Sequence, residues 1–161
     1  MPARLPPEAF SIGRDDLDGP EVQDLLRLHL AEMHAWSPAC KTHAMPLKRL
    51  REPDVTFFSA WRDGELAAVG ALKEIDHERG ELKSMRASNA WRGTGAGEAL
   101  LLHLLEEAQR RSYSWLGLET GRTQPFHPAH HLYRKHGFAE CAGFGDYTPD
   151  EFSICMSRSL G

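Results

Sequence analysis

No stretch of the 161 residues restricts the fold as much as Trp91-Arg92-Gly93-Thr94-Gly95-Ala96-Gly97-Glu98. It lies between two segments of different period. Upstream, Glu81–Ser88 alternates like a strand, with Glu81, Lys83, Met85 and Ala87 expected on one face. Downstream, a long helix is expected from Gly95, with Gly97, Leu101, Leu104, Leu105 and Ala108 as its buried stripe. Glycines at alternate positions between a strand and a helix permit positive φ and a close backbone approach to a ligand. Free N–H groups and the positive end of the helix dipole favour an anion there, and a phosphate-bearing ligand is the natural candidate. A Walker A loop is excluded because no Lys follows the glycines, and a dinucleotide fingerprint because the third glycine position is Glu98. Arg-x-x-Gly-x-Gly fits, read as Arg92, Gly95 and Gly97. The plain alternative is a glycine-rich turn that only starts a helix.

The rest of the chain supplies the frame. Phe10-Ser11-Ile12 reads as a first strand, and Pro20 opens a helix on which Val22, Leu25, Leu26, His29 and Met33 share a face. Residues 37–53 read as an irregular segment with a small helix. Thr56–Arg62 and the run 65–75 flank Asp63-Gly64, a hairpin signal. Ser114–Thr120 is a short strand, Pro128–His136 a helix closed by Gly137, and Ser153–Ser159 a last strand. This order gives an α/β layered fold, a central mixed sheet flanked by helices, in a single domain over 1–161. With 19 Lys+Arg against 23 Asp+Glu, the charge of −4 points to no nucleic-acid or membrane partner. The longest apolar run, Leu66–Leu72, is far short of the ~20 residues a bilayer needs, and the N-terminus lacks a secretory signal. Cys40, Cys141 and Cys155 are too few and too scattered for a disulfide framework. A cytoplasmic protein is expected.

The loop is not the only motif. Downstream stands Leu132-Tyr133-Arg134-Lys135-His136-Gly137-Phe138, and with Arg92–Gly97 it resembles the GNAT (Gcn5-related) N-acetyltransferases, whose signatures are an acetyl-CoA pyrophosphate loop and LYxKxGF. Glu81–Arg86 and Gly137-Phe138…Cys141…Phe144-Gly145-Asp146-Tyr147 are similar to small bacterial members of largely unassigned substrate. The resemblance covers most of the chain. It implies a mostly antiparallel sheet with a splayed strand pair, 81–88 and 114–120, that binds acetyl-CoA. Backbone N–H groups of Arg92, Gly93, Thr94, Gly95, Ala96 and Gly97, extending to Glu98, then hold the pyrophosphate, with Arg86 as a second basic side chain. Main-chain groups at Met85, Arg86 and Ala87 pair with the pantetheine arm, and one N–H polarises the thioester carbonyl, a contribution of about a few kcal/mol.

The resemblance further implies direct transfer of an acetyl group to a primary amine of a small molecule or an exposed protein amine. Tyr133 is the expected general acid, since a phenol keeps its proton at neutral pH; by position alone a core tyrosine is the better account, and the family motif reverses that order. The base is Glu81 or Glu119, and Lys83 beside Glu81 suggests an ion pair that blunts it. In the family an Asn commonly precedes the helix of the tyrosine; here Phe126 stands there, with Gln124 a substitute. His29, Met33, Ser37 and His43 belong either to the acceptor pocket or to ordinary packing. Among nine histidines, His127, His130, His131 and His136 invite a metal reading, but no carboxylate or cysteine is interleaved and a solvated face is the better account. No metal is expected. Two other functions stay open, a non-catalytic acyl-CoA-binding module and, less favoured, a metal-dependent hydrolase. The acceptor pocket depends on loops and on whether the chain forms a homodimer.

Overall fold

The computed structural model describes residues 3–37 and 45–161, and shows one seven-stranded sheet with helices on both faces. In chain order the elements are β1 (Ser11–Arg14), α1 (Pro20–Trp36), α2 (Leu47–Leu50), β2 (Val55–Arg62), β3 (Glu65–Asp76), β4 (Arg79–Ala87), α3 (Ala96–Arg110), β5 (Trp115–Gly121), α4 (His127–Lys135), β6 (Ala139–Cys141) and β7 (Ser153–Ser159). The strand order is β1-β2-β3-β4-β5-β7-β6, antiparallel except for β4 against β5. The layered α/β expectation holds, with one addition. The strand Ala139–Cys141 has only three residues and offers no alternation to read.

Asp63 and Gly64 take φ of 52° and 77°, the two positive values that a two-residue hairpin between β2 and β3 requires. β3 is buried on both faces, which explains its unbroken apolar run. Ala68 and Leu72 join one core with Leu82, Leu116, Leu118 and the α3 stripe. Val69 and Ala71 join the other, with Val22, Leu25 and Leu26 of α1.

Two irregularities prepare a site. The first is in β4. Ala71 pairs with Lys83, but Val69 pairs with Arg86, so three steps on β4 oppose two on β3. The extra residue is taken up where Ser84 adopts φ 56°, a bulge. The bulge corrects the expected alternation. Met85 turns to the α3 core, its sulfur against the bare face of Gly70 beside Leu100. Arg86 turns to the α1 face, the one that carries Glu81 and Lys83. The second irregularity is the short contact between β4 and β5. They pair only at Arg79↔Trp115, Gly80↔Leu116 and Glu81↔Gly117. Beyond this point β4 continues on β3 and β5 on β7, so 82–87 and 118–121 face one another as unpaired strand edges. Backbone groups on such edges need hydrogen-bond partners from elsewhere.

Candidate active site

On the α3 side of this gap lies the glycine loop. Gly93 and Gly95 adopt φ of 75° and 96°, and Gly95 is the N-cap of α3 without any side-chain cap. Among the described residues no side chain therefore caps the first-turn N–H groups of α3, as an anion site requires. Gly95 must be glycine for a second reason: a Cβ there would stand 2.8 Å from the Leu5 carbonyl oxygen. Leu5 N–H donates to the Thr94 carbonyl at 2.7 Å, so the N-terminal segment is fastened across the loop. Thr94 is wholly buried, its hydroxyl donating to the Trp91 carbonyl at 2.6 Å. Gly97 keeps open space above it out to Leu132 Cδ2 at 4.0 Å, and Arg92 is exposed.

Glu98 cannot offer its side chain to a ligand. Lys135 Nζ lies 2.8 Å and His136 Nε2 2.7 Å from its carboxylate, and Arg4 pairs with it too. These hydrogen bonds, Lys135's foremost, hold its carboxyl down at about 2. Glu98 thus ties α3 to the end of α4 and to the N-terminal segment, and its backbone N–H is what remains. Tyr133, on α4, is buried in the α3-side core with its ring 5.6 Å from Phe138. Burial alone raises its pKa.

On the opposite face the gap is lined by charge. Tyr147, from the loop between β6 and β7, donates its hydroxyl to Glu81 Oε2 at 2.5 Å and accepts from Lys83 Nζ at 2.5 Å. Lys83 also lies 3.4 Å from Glu81 Oε2, so the anticipated ion pair exists and is bridged by a phenol. Burial first, then the Glu81 charge, pushes the Tyr147 pKa up. An aromatic chain, Trp115–Phe144 at 5.0 Å and Phe144–Tyr147 at 5.2 Å, seats this loop on the sheet. Nothing in the local pattern of 139–152 marked Tyr147 as a partner of β4; only the closing of β7 beside β5 brings it there.

Glu119 stands two residues past the last β4–β5 pair, at the throat of the gap. Burial raises its carboxyl to about 7, against the opposing pull of Lys83 and of a Ser153 hydrogen bond. Glu81, by contrast, already has its carboxylate engaged by Tyr147 and Lys83.

Of the expected acceptor-side residues, His29 and Met33 lie half-buried on α1 and Ser37 caps its C-terminal end; His43 lies outside the described residues. Burial, then the nearby Arg86 charge, lowers His29 to about 4, so it is neutral at pH 7. Arg86 does not extend toward the glycine loop. Its guanidinium pairs with Glu32 of α1 and lies 6.0 Å from the Trp36 ring. Phe126 is buried, its ring over Gly121 and edge-on to Trp36 at 5.7 Å, and Gln124 is exposed in a 3-10 turn. His127 and His130 spend their Nε2 atoms on the Arg122 and Gly121 carbonyls at 3.0 and 2.7 Å. Among the described residues no group of three His, Cys, Asp or Glu side chains is arranged to hold a metal.

A sheet that parts at an uncapped, glycine-lined helix start is the frame of an acyl-CoA-binding transferase, and comparison with known proteins agrees. Residues 22–138 match the acetyltransferase (GNAT) family, and the chain belongs to that family of acyltransferases. It is similar to the uncharacterized N-acetyltransferase YsnE of Bacillus subtilis (strain 168), 45% identical over 91% of this chain and 97% of that one. It is 44% identical to the uncharacterized N-acetyltransferase YedL of Escherichia coli (strain K12), over 94% and 95% of the two chains. Its fold matches that of a GNAT family acetyltransferase from Elizabethkingia anophelis with acetyl-CoA bound, at a TM-score of 0.71 and 18% identity, over 95% and 99%.

Proposed function

We propose that the chain, as one domain, transfers acetyl groups from acetyl-CoA directly to a primary amine, in the cytoplasm and without a metal. The observation that supports this best is the gap itself: two unpaired strand edges meet beside a helix start whose N–H groups lack a cap, with a carboxyl of raised pKa in the throat. The residues fit the donor. The N–H groups of 92–98 suit the pyrophosphate and the open edge of β4 at Met85–Ala87 suits the pantetheine arm. The side chains of Met85 and Arg86 point elsewhere, so these two act through their backbone. When bound, acetyl-CoA supplies the acetyl group: the amine nitrogen bonds to its carbonyl carbon, the C–S bond breaks, and the sulfur leaves to become the thiol.

Glu119 is the base. A carboxylate near 7 is matched to taking a proton from an amine at neutral pH, whereas Glu81 is held in its network. Tyr133, expected as the general acid, keeps its proton here and steadies the departing thiolate as a hydrogen-bond donor, because burial raises its pKa and disfavours ionisation. The thiolate takes the proton that makes it the thiol from water, and Glu119 returns the amine's proton to solvent. Burial also pushes the Cys155 thiol up to about 11, which makes it a poor nucleophile and favours direct transfer over an acyl-cysteine. Thiol release from acetyl-CoA in the presence of amines tests this. Glu119→Gln is expected to lose most of kcat, Tyr133→Phe to lower kcat while acetyl-CoA affinity stays nearly intact, and Glu81→Gln to act mainly through stability. Full activity in Glu119→Gln overturns the assignment of the base.

A further inference from the structure

Buried polar atoms in proteins are nearly always hydrogen-bonded. Among the described residues five are not: His29 Nδ1, Glu32 Oε1, Ser84 Oγ, Arg86 Nε and Ser88 Oγ. All lie on α1, on β4 from its bulge onward, or at Ser88 just past its end, beside the unpaired edge of β4.

Arg86 is the centre of this group. It is only 8% exposed, and the bulge at Ser84 is what turns it to the face of Glu81 and Lys83. Its Nη2 meets Glu32 Oε1 as an ion pair and Asn89 Oδ1 at a long 3.5 Å, while its Nε has no partner. The Nε/Nη2 edge of a guanidinium is a two-pronged donor that fits both oxygens of one carboxylate. Glu32 fills one prong, without hydrogen-bonding geometry at Oε1, and leaves the other empty. Its side chain is 27% exposed, so it can leave for water. The Arg86 site also adjoins the reaction throat. Val69 and Ala71 set Arg86 and Lys83 two residues apart, about 7 Å along the sheet. Lys83 in turn acts on the Glu119 carboxyl, and Trp36 and Phe126 wall the span from Arg86 to Gly121, two residues past Glu119.

We infer that the acceptor is an amino carboxylate, an α-amino acid or a close analogue. Its carboxylate enters the Nε/Nη2 fork of Arg86 in place of Glu32, and its amine lies on the Glu119 side. In the free protein the Glu32 carboxylate stands in for that of the acceptor. The inference rests on the acetyl-transfer reading for its amine half, and on Arg86 alone for its carboxylate half.

The test runs the twenty α-amino acids against acetyl-CoA, each beside its own carboxamide, with thiol release as the readout. Calorimetric binding of the matching N-acetyl amino acid and N-acetyl amide, with CoA present, is the second arm. At least a tenfold preference in kcat/KM for a free acid over its amide is expected. Arg86→Gln should erase that ratio, Arg86→Lys should keep part of it, and Glu32→Gln should lower KM for the acid. Because Arg86→Gln leaves the half-buried Glu32 unpaired, the double variant Glu32→Gln/Arg86→Gln, checked for folding by circular dichroism, repeats the measurement without a lone charge. Equal use of acid and amide, a ratio that survives in the folded double variant, or no amino acid bound or acetylated overturns the inference. Carboxylate-selective binding that is lost with Arg86, but with no acetyl transfer to any amine, leaves it standing and overturns the transfer reading instead.

Discussion

Replacing Glu119 by Gln should make the protein more stable and less active in the same pH range. Burial holds the Glu119 carboxyl at about 7, against 4.5 for a free glutamate. Between these two values the native chain binds more protons than the unfolded one, so stability falls as pH rises from 4.5 to 7, and the whole penalty is present above 7. A shift of this size corresponds to at most about 3 kcal/mol at 1.36 kcal/mol per pH unit. Partial solvent contact at the throat reduces it to about 1–2 kcal/mol. Gln keeps the shape and removes the charge. At pH 8 the variant should therefore melt roughly 2–8 °C higher, given about 2–4 °C per kcal/mol for a chain of this size. The gain should shrink toward zero as the pH is lowered to 4.5. In the wild type, kcat/KM should rise through pH 7 as the base ionises, and in the variant that limb should be missing with a loss of about 10²–10⁴-fold. Thermal melts from pH 5 to 8 and the pH–rate profile of both proteins measure this. An unchanged or lower melting temperature at pH 8, with the limb at pH 7 intact, would show that Glu119 is neither a buried carboxyl of raised pKa nor the base.

Glu98→Gln should have the opposite pH signature. The wild-type carboxyl is held near 2, so its contribution is complete above 4.5 and is lost as pH falls toward 2. Urea unfolding should show a cost of about 1–3 kcal/mol at pH 7, reduced by salt and gone near pH 2. Gly95→Ala combines a forced positive φ with a Cβ 2.8 Å from the Leu5 carbonyl, and should cost about 1–3 kcal/mol. The same variant should weaken acetyl-CoA binding by calorimetry, since the strain sits in the loop. Tyr147→Phe removes the hydroxyl that joins Lys83 to Glu81 and should cost about 1–3 kcal/mol in urea unfolding.

What the sequence made legible was local. The hairpin at Asp63-Gly64, the apolar stripe of α3 and the glycine loop depend on residues within one or two turns of each other. Period and turn chemistry report such neighbours directly. The β4 bulge was not legible, because Ser84 in a left-handed conformation carries no compositional mark. That one residue reversed the expected sides of Met85 and Arg86, and turned Arg86 away from the glycine loop to the α1 face beside Glu32. Tyr147 was invisible as a functional partner for a related reason. Its link to Glu81 spans 66 positions and exists only because β7 inserts between β5 and β6. The choice between Glu81 and Glu119 likewise needed the network around each carboxylate, which spacing along a strand does not encode.

Acetyl transfer to an amine in the gap between β4 and β5 is the reaction proposed for this chain. Its most direct measurement is the mass balance of purified protein, acetyl-CoA and an amine panel. Amine-dependent CoA release, with one N-acetylated product per thiol by mass spectrometry, is the predicted result. Stoichiometric acetyl-CoA binding without amine-dependent release across amino acids, polyamines and aminoglycosides would contradict it and favour a non-catalytic acyl-CoA-binding module.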